Sequence, residues 1–436
     1  MKKTYSIFWF RRDLRFTDNI GLFHALNNKH SVLPIFIFDK SILSKLPKED
    51  ARVSFIFDTV QKMRSYLSRE HGSSIAVYYG NPKEIFEKIC KEYSINTVFT
   101  NHDYEPYAKK RDSEIQTLLR KKGVHFKTFK DQVIFEKNDI LKDDGNPYIV
   151  YTPYKNKWKT LFNPSLQLQH FPSQTLLDNC VKNNTLKNLS LEEIGFAKST
   201  IIVPEYSITS SLIANYSDTR DYPSIKNGTS LIGANLRFGT ISIRKVMQQA
   251  IAEENEVFWN ELIWREFFMQ ILWHFPHTVT NSFKPKYDRI PWRNNEQEFN
   301  AWKNGKTGYP LVDAGMRQLN TTGYMHNRVR MLVASFLCKH LLIDWRWGEA
   351  YFAEKLLDYD LSANIGNWQW AAGSGVDAAP YFRIFNPTTQ IQKFDNQNIY
   401  IHTWVKDIQE LTYPTPIVEH KFARERCLAT YKDALR

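Results

Sequence analysis

Five short runs of apolar and β-branched residues alternate with longer stretches of helical period through the first third of the chain. The runs are Ile7–Phe10, Val32–Phe38, Ile75–Tyr79, Thr97–Asn101 and His125–Phe129. Between them, segments such as Arg52–Glu70 and Asn81–Tyr93 repeat their apolar positions at three- and four-residue spacing. This alternation predicts a parallel sheet covered by helices. The first run is followed by "WFRRDLRFTDN" rather than the glycine fingerprint of dinucleotide-binding folds, so the domain is Rossmann-like in outline only. From Asp131 to Pro204 the pattern fades into Lys, Asn, Ser and Pro, which predicts a connector wrapped on the surface and carrying short helices. Beyond it strand patterns vanish and helical ones recur: Ser242–Glu254, Phe258–Trp273, Leu311–Thr321, Met325–His340 and Glu349–Asp358. The expected architecture is an α/β domain at 1–130, a connector at 131–204 and an all-α domain at 205–436.

Composition changes this picture in three ways. A chain of 436 residues is long enough for two cores. A net charge of +12 favours polyanions, although a generally basic solvated surface accounts for it as well. Aromatics reach 14%, so stacking on planar partners is a function to look for. The four cysteines, Cys90, Cys180, Cys338 and Cys427, are too dispersed for a disulfide framework or a zinc site, and no metal is expected. The same cysteine usage fits a reduced cytosol or nucleus, of which the cytoplasm is the expectation; the N-terminal apolar run is too short for a signal peptide and no run approaches the ~20 residues of a membrane span.

Four stretches carry candidate chemistry. "NGTSLIGANL" sets Thr229 and Ser230 before a helical pattern; they suit a phosphate site, but such triplets more often merely cap a helix. "FWNELIWREFF" puts Glu261, Trp264 and Arg265 on one face at i, i+3 and i+4, where a Glu–Arg surface pair is the commoner outcome. "GYMHNRVRMLVASFL" groups Asn327, Arg330 and Met331 and leaves Arg328 pointing elsewhere, which fits either a polar pocket or a solvated helix end. In "DYDLSANIGNWQW", Asp360, Asn364 and Trp368 share one helical face. Trp370 points roughly 200° away from Trp368, at ~100° per residue, so the two indoles serve different surfaces.

Taken together, "NELIWREF", "GKTGYPLVDAGMRQL", "MHNRVRM" and "NWQWAAGSGVDAAPYFRIFNPTTQ" resemble the photolyase/cryptochrome family, most closely its bacterial class I cyclobutane pyrimidine dimer photolyases. "WFRRDLRFTDN" and "YTPYKNKW" resemble the family's opening and connector, so the likeness spans nearly the whole chain. The resemblance implies an all-helical FAD-binding domain, a monomer, and UV-damaged DNA as partner. By position, Tyr216, Thr229, Ser230, Leu231, Ile232 and Gly233 would hold the FAD phosphates. Asp358, Tyr359 and Asp360 would meet the ribityl and ring region, Arg330 would lie beside the isoalloxazine and Asn364 near its N5, with Phe258 and Arg265 as further contacts. Trp368, Trp345 and Trp292 would form an electron relay to the surface. Trp370 and Trp264 would wall the lesion pocket, Glu261 and Asn327 would address the polar edges of the dimer, and Met331 would fill the remaining side. Arg220, Arg328, Arg383 and Gln390 would hold the DNA backbone. The implied reaction is light-driven: reduced FAD passes an electron to the dimer, the cyclobutane bonds break and the electron returns, with Glu261 stabilising the charge that develops.

The chain departs from the family in places. Phe258 stands where Trp is frequent, and Gly233 lacks the hydroxyl of the usual phosphate loop. Tyr104-Glu105 is followed by Pro106, and a folate-contacting lysine aligns with Val279. These departures argue against a folate antenna and leave a flavin, a deazaflavin or no second chromophore. The alternative of a cryptochrome-like FAD photoreceptor without repair is disfavoured because Glu261, Trp264, Asn327, Met331 and Trp370 all keep the repair identity. A (6-4) photolyase is disfavoured because "HNRVRM" lacks that group's second histidine.

Overall fold

The computed structural model describes residues 3–436, which divide into two compact units. Among the described residues, the first comprises 3–136, Leu161–Glu205 and Ile232–Ala252; the second comprises Lys137–Thr160, Tyr206–Leu231 and Glu253–Arg436.

The first unit is built on five parallel strands, β1 (Thr4–Phe10), β2 (Val32–Asp39), β3 (Ala76–Gly80), β4 (Ser94–Asn101) and β5 (His125–Phe129), in the order β3-β2-β1-β4-β5. All five expected strands are present. Central β1 is buried from Ser6 to Phe10, whereas edge strand β5 has only exposed and half-buried positions, because covering on both faces buries the interior strands alone. The strand order reverses between β1 and β4, the place where open α/β folds bind ligands. Here that place is filled by the chain itself. Asn101 at the end of β4 donates to Asp13 at 2.5 Å, and the Asp13 carboxyl, desolvated by burial, is pushed up to about 6. Arg12 pairs with Asp103 and Glu105. The sequence "WFRRDLR" thus supplies charge where a fingerprint loop would leave a cradle.

Residues 232–252 belong to this unit because buried ion pairs hold them there. Arg244 reaches Asp18 and Asp131, both at 3.0 Å, and Arg15 reaches Asp131 at 2.7 Å. Burial alone would raise Asp131, but the two guanidiniums more than offset it and hold its carboxyl low. Gly239 (φ +66) passes so close to Arg12 that a Cβ would lie 2.0 Å from the Arg12 carbonyl oxygen.

Residues 131–204 do more than wrap the surface. Leu177, Leu191, Ile194 and Phe196 are buried in the hydrophobic core on one side of the sheet, and Cys180 bridges to Val32. Tyr154 and Trp158, on the helix Tyr151–Leu161, are buried in the second unit, where Trp158 Nε1 donates to Glu266 at 2.7 Å.

The second unit is helical throughout. Its core gathers Trp302, Trp345 and Trp368 with Leu311, Val329, Phe336 and Phe352. The helices that frame the site are Glu256–His274, Asn327–Ser335, Trp345–Lys355 and Leu361–Ala372. Asn255, His326, Asp344 and Asp360 cap their N-termini with side-chain acceptors, and Gly373 (φ +89) ends the last of them. The helix expected over Met325–His340 widens into a π turn at Phe336–His340. Among the described residues no helix is long and apolar enough to cross a membrane, and all four cysteines are free.

Candidate functional site: a buried indole, a polar cradle and a basic rim

The helix Leu361–Ala372 organises the site. Asp360 caps it by accepting from the Ser362 and Ala363 amides. One turn on, Asn364 is buried and its Nδ2 donates to the Glu349 carbonyl at 3.1 Å and to Glu349 Oε1 at 2.9 Å. Both of its donors are thereby turned towards Glu349, which leaves Oδ1 as an open acceptor. Burial pushes the Glu349 carboxyl up, and the Asn364 amide only partly offsets this.

Another turn on, Trp368 is 2% exposed. Its seat is cut by Gly348, where a Cβ would lie 2.1 Å from the Trp368 ring. Phe352 and Trp302 meet Trp368 edge-on at 5.0 and 6.1 Å. Gly348→Ala is therefore expected to displace the indole at an overpacking cost of about 1–3 kcal/mol, read as a lower thermal midpoint of the flavin-loaded protein. Trp370, two residues later, is half-buried at the edge of the same core.

Trp345 lies in the same core, 1% exposed, with Nε1 lacking a partner and the Arg346 guanidinium 4.7 Å over its ring. Trp292 is half-buried at the edge of that core and meets the fully buried Tyr431 at 6.0 Å. Trp302, whose ring approaches Trp368, was not singled out by the sequence; nothing in its local pattern distinguishes it from a core residue.

A second group surrounds Arg330. It pairs with Asp358 at 2.9 Å and donates to the Met325 carbonyl at 2.7 Å. Tyr324 lies 5.5 Å from the guanidinium, and its hydroxyl is 3.5 Å from Thr229 Oγ1. Tyr359 is half-buried against the core. In the loop holding Thr229 and Ser230, Leu231 takes a left-handed φ of +53, followed by right-handed Ile232. Alternation of this kind turns successive backbone N–H groups towards one point and makes an anion nest. Ile232 and Gly233 open the short helix Gly233–Phe238 of the first unit. Tyr216 packs edge-on against buried Phe258 at 5.1 Å.

The rim is charged. Glu261 pairs with Arg220 rather than with its helix neighbour Arg265, which is half-buried. Arg328, expected to point away from its helix neighbours, instead comes within 4.0 Å of Met331 Sδ while pairing with Asp221 at 2.5 Å. Its guanidinium also lies 4.3 Å over Phe394, at the end of the helix Pro387–Phe394 that carries half-buried Gln390. Asn327 and Arg383 are exposed. His326 is pushed down to about 4 by burial and then by Arg330 and Arg328, so it stays neutral near pH 7. Trp264 is stacked by Tyr151 at 3.5 Å and 8°, which covers one of its faces. Tyr151 and Asp221 are the site neighbours that sequence reasoning missed, because both act through contacts far from their own motifs.

The sequence matches the family described as DNA photolyase over residues 6–174, and the FAD binding domain of DNA photolyase over residues 258–412. The deoxyribodipyrimidine photo-lyase of Halobacterium salinarum is 35% identical over 98% of this chain and 99% of its own. A bacterial class III photolyase from Agrobacterium tumefaciens superposes with a TM-score of 0.89 at 32% identity, covering 100% of this chain and 98% of that one. An archaeal photolyase from Sulfolobus tokodaii, solved with two FAD molecules, gives 0.82 at 32% identity, over 98% and 99%. This chain belongs to the DNA photolyase family and carries that family's FAD-binding domain.

Proposed function

We propose that the protein is a light-dependent DNA repair enzyme that splits cyclobutane pyrimidine dimers, working as a cytoplasmic monomer. The observation that carries the reading is the helix Leu361–Ala372, which buries Asn364 and Trp368 on one face and presents half-buried Trp370 on another. One helix can then serve a cofactor on one side and a flipped lesion on the other.

The residues present fit FAD. The backbone nest at Leu231 suits a pyrophosphate, the Arg330–Asp358 pair offers charge-assisted partners, and the open Oδ1 of Asn364 suits a reduced ring, whose N5 bears hydrogen. Bound and reduced, FAD supplies the photoexcited electron that opens the dimer. Trp368, Trp345 and Trp292 offer three indoles by which the protein recharges it. Trp370 stacks on the extruded dimer. Glu261, oriented by Arg220, presents its carboxylate edge to the dimer as charge develops there. Arg220, Arg328 and Arg383, with Gln390, hold the backbone around it.

Two outcomes follow. The purified protein is expected to show flavin absorbance, or to gain it on reconstitution with FAD; a well-folded sample that does neither contradicts the reading. Affinity for damaged duplex is expected to fall steeply with salt, and Arg383→Ala should make the log–log slope shallower by about 0.9, the contribution of one phosphate on B-DNA. A slope near zero in the wild type would remove the polyanion argument.

A further inference from the structure

We propose that Lys339 is a positioning residue for DNA: from inside the core it holds the loop that presents Arg383. The inference rests on the reading of Arg383 as a backbone contact.

Lys339 is 1% exposed, on the π turn Phe336–His340. Among the described residues its Nζ has one hydrogen-bond partner, the backbone carbonyl of Arg383 at 2.8 Å, and no carboxylate in ion-pair range. Burying an ammonium without an anion is costly, and an apolar side chain of the same length would fill the space without that cost. What only a lysine provides there is the charge-assisted bond to the loop.

The loop is fixed at two adjacent points. Tyr381 stacks at 5.7 Å and 14° on buried Tyr431, whose hydroxyl donates to the Ala372 carbonyl at 3.0 Å. Two residues on, Lys339 clamps the Arg383 carbonyl. Phe382 between them is 62% exposed, and the Arg383 side chain is exposed beyond it. The buried faces of the loop are thus used for anchoring and its outer face for side chains that reach solvent. Loss of the Lys339 bond frees the backbone of the residue that carries the phosphate-binding guanidinium.

The charge of Lys339 is adjustable. Burial pulls it down to about 8, and the titratable or charged groups that face it are Cys338 and His340 on its own turn, Cys427 on the helix His420–Leu435 and Arg383 in the loop; burial pushes His340 down to about 3, so it stays neutral. Burial pushes both thiols up, Cys427 to about 12, so they stay neutral between pH 7 and 9 and offer no anion. Lys339 is therefore protonated below about 8 and loses its charge as pH rises through that value.

The test measures affinity of the flavin-loaded protein for a dimer-containing duplex from pH 7 to 9, for wild type, Lys339→Met and Arg383→Ala. Lys339→Met is expected to bind about tenfold more weakly at pH 7, with a salt slope shallower by about 0.9 and unchanged FAD content. Wild-type affinity should weaken severalfold between pH 7 and 9, and Arg383→Ala should show no such change, having no phosphate contact left to lose. Wild-type binding by Lys339→Met, or a pH response that persists in Arg383→Ala, overturns the proposal. Should Lys339→Met fail to fold, the wild-type and Arg383→Ala pH profiles decide alone. An Arg383→Ala protein with wild-type affinity and slope at pH 7 overturns the DNA role of Arg383 together with the proposal; failure at Lys339 alone leaves that role standing.

Discussion

Trp368→Phe is expected to abolish light-driven reduction of the oxidised flavin while leaving FAD content and repair by chemically reduced protein intact. The indole is buried one turn from Asn364, in a seat that Gly348 leaves open for it. Phenylalanine preserves an aromatic filling, so the packing cost stays below the ~3–5 kcal/mol of truncation to alanine. What it removes is an oxidisable ring, since a phenyl gives up an electron far less readily than an indole. Trp345→Phe should act similarly from the next position outward. Photoreduction at the wild-type rate in Trp368→Phe would move the first step to another indole, of which Trp302, 6.1 Å from Trp368, is the best placed.

Trp370→Ala is expected to weaken binding to dimer-containing DNA about 5- to 150-fold, on the ~1–3 kcal/mol scale of base–aromatic stacking, with undamaged-DNA binding and FAD content nearly unchanged. Glu261→Ala should instead lower repair per absorbed photon more than affinity, because a carboxylate edge matters most once the dimer carries extra charge. That variant also releases Arg220 from its ion pair, so Glu261→Gln, which keeps a hydrogen-bonding side chain, separates the carboxylate from the loss of Arg220 orientation. Measuring affinity and photon yield on the same thymine-dimer duplex distinguishes the roles. Equal weakening of damaged and undamaged DNA by Trp370→Ala would place that indole on the backbone surface.

The five strands were legible because each is a short run rich in β-branched and aromatic residues set between longer segments of helical period, and the helix Leu361–Ala372 because Asp360, Asn364 and Trp368 recur at four-residue spacing. The connector was misread as superficial. Its buried residues, such as Trp158, Leu177 and Ile194, sit in separate short helices and turns rather than in one long element, so no period marks them. Residues 232–252 read as part of the helical region by pattern, and it is Arg244, through Asp18 and Asp131, that ties them to the sheet-bearing unit. The site was legible as residue types and faces. Its pairings were not: Glu261 with Arg220, Arg328 with Asp221 and Tyr151 on Trp264 join segments far apart in sequence, and local spacing carries no trace of them.

This protein is expected to turn light into dimer cleavage. The direct measurement irradiates the purified, FAD-loaded and chemically reduced protein with a thymine-dimer oligonucleotide and follows loss of the dimer by chromatography, beside a dark control. Light-dependent conversion to intact thymines is expected, with turnover and no change in the dark. A protein that holds reduced FAD and binds the damaged oligonucleotide, yet leaves the dimer whole under saturating light, would contradict it.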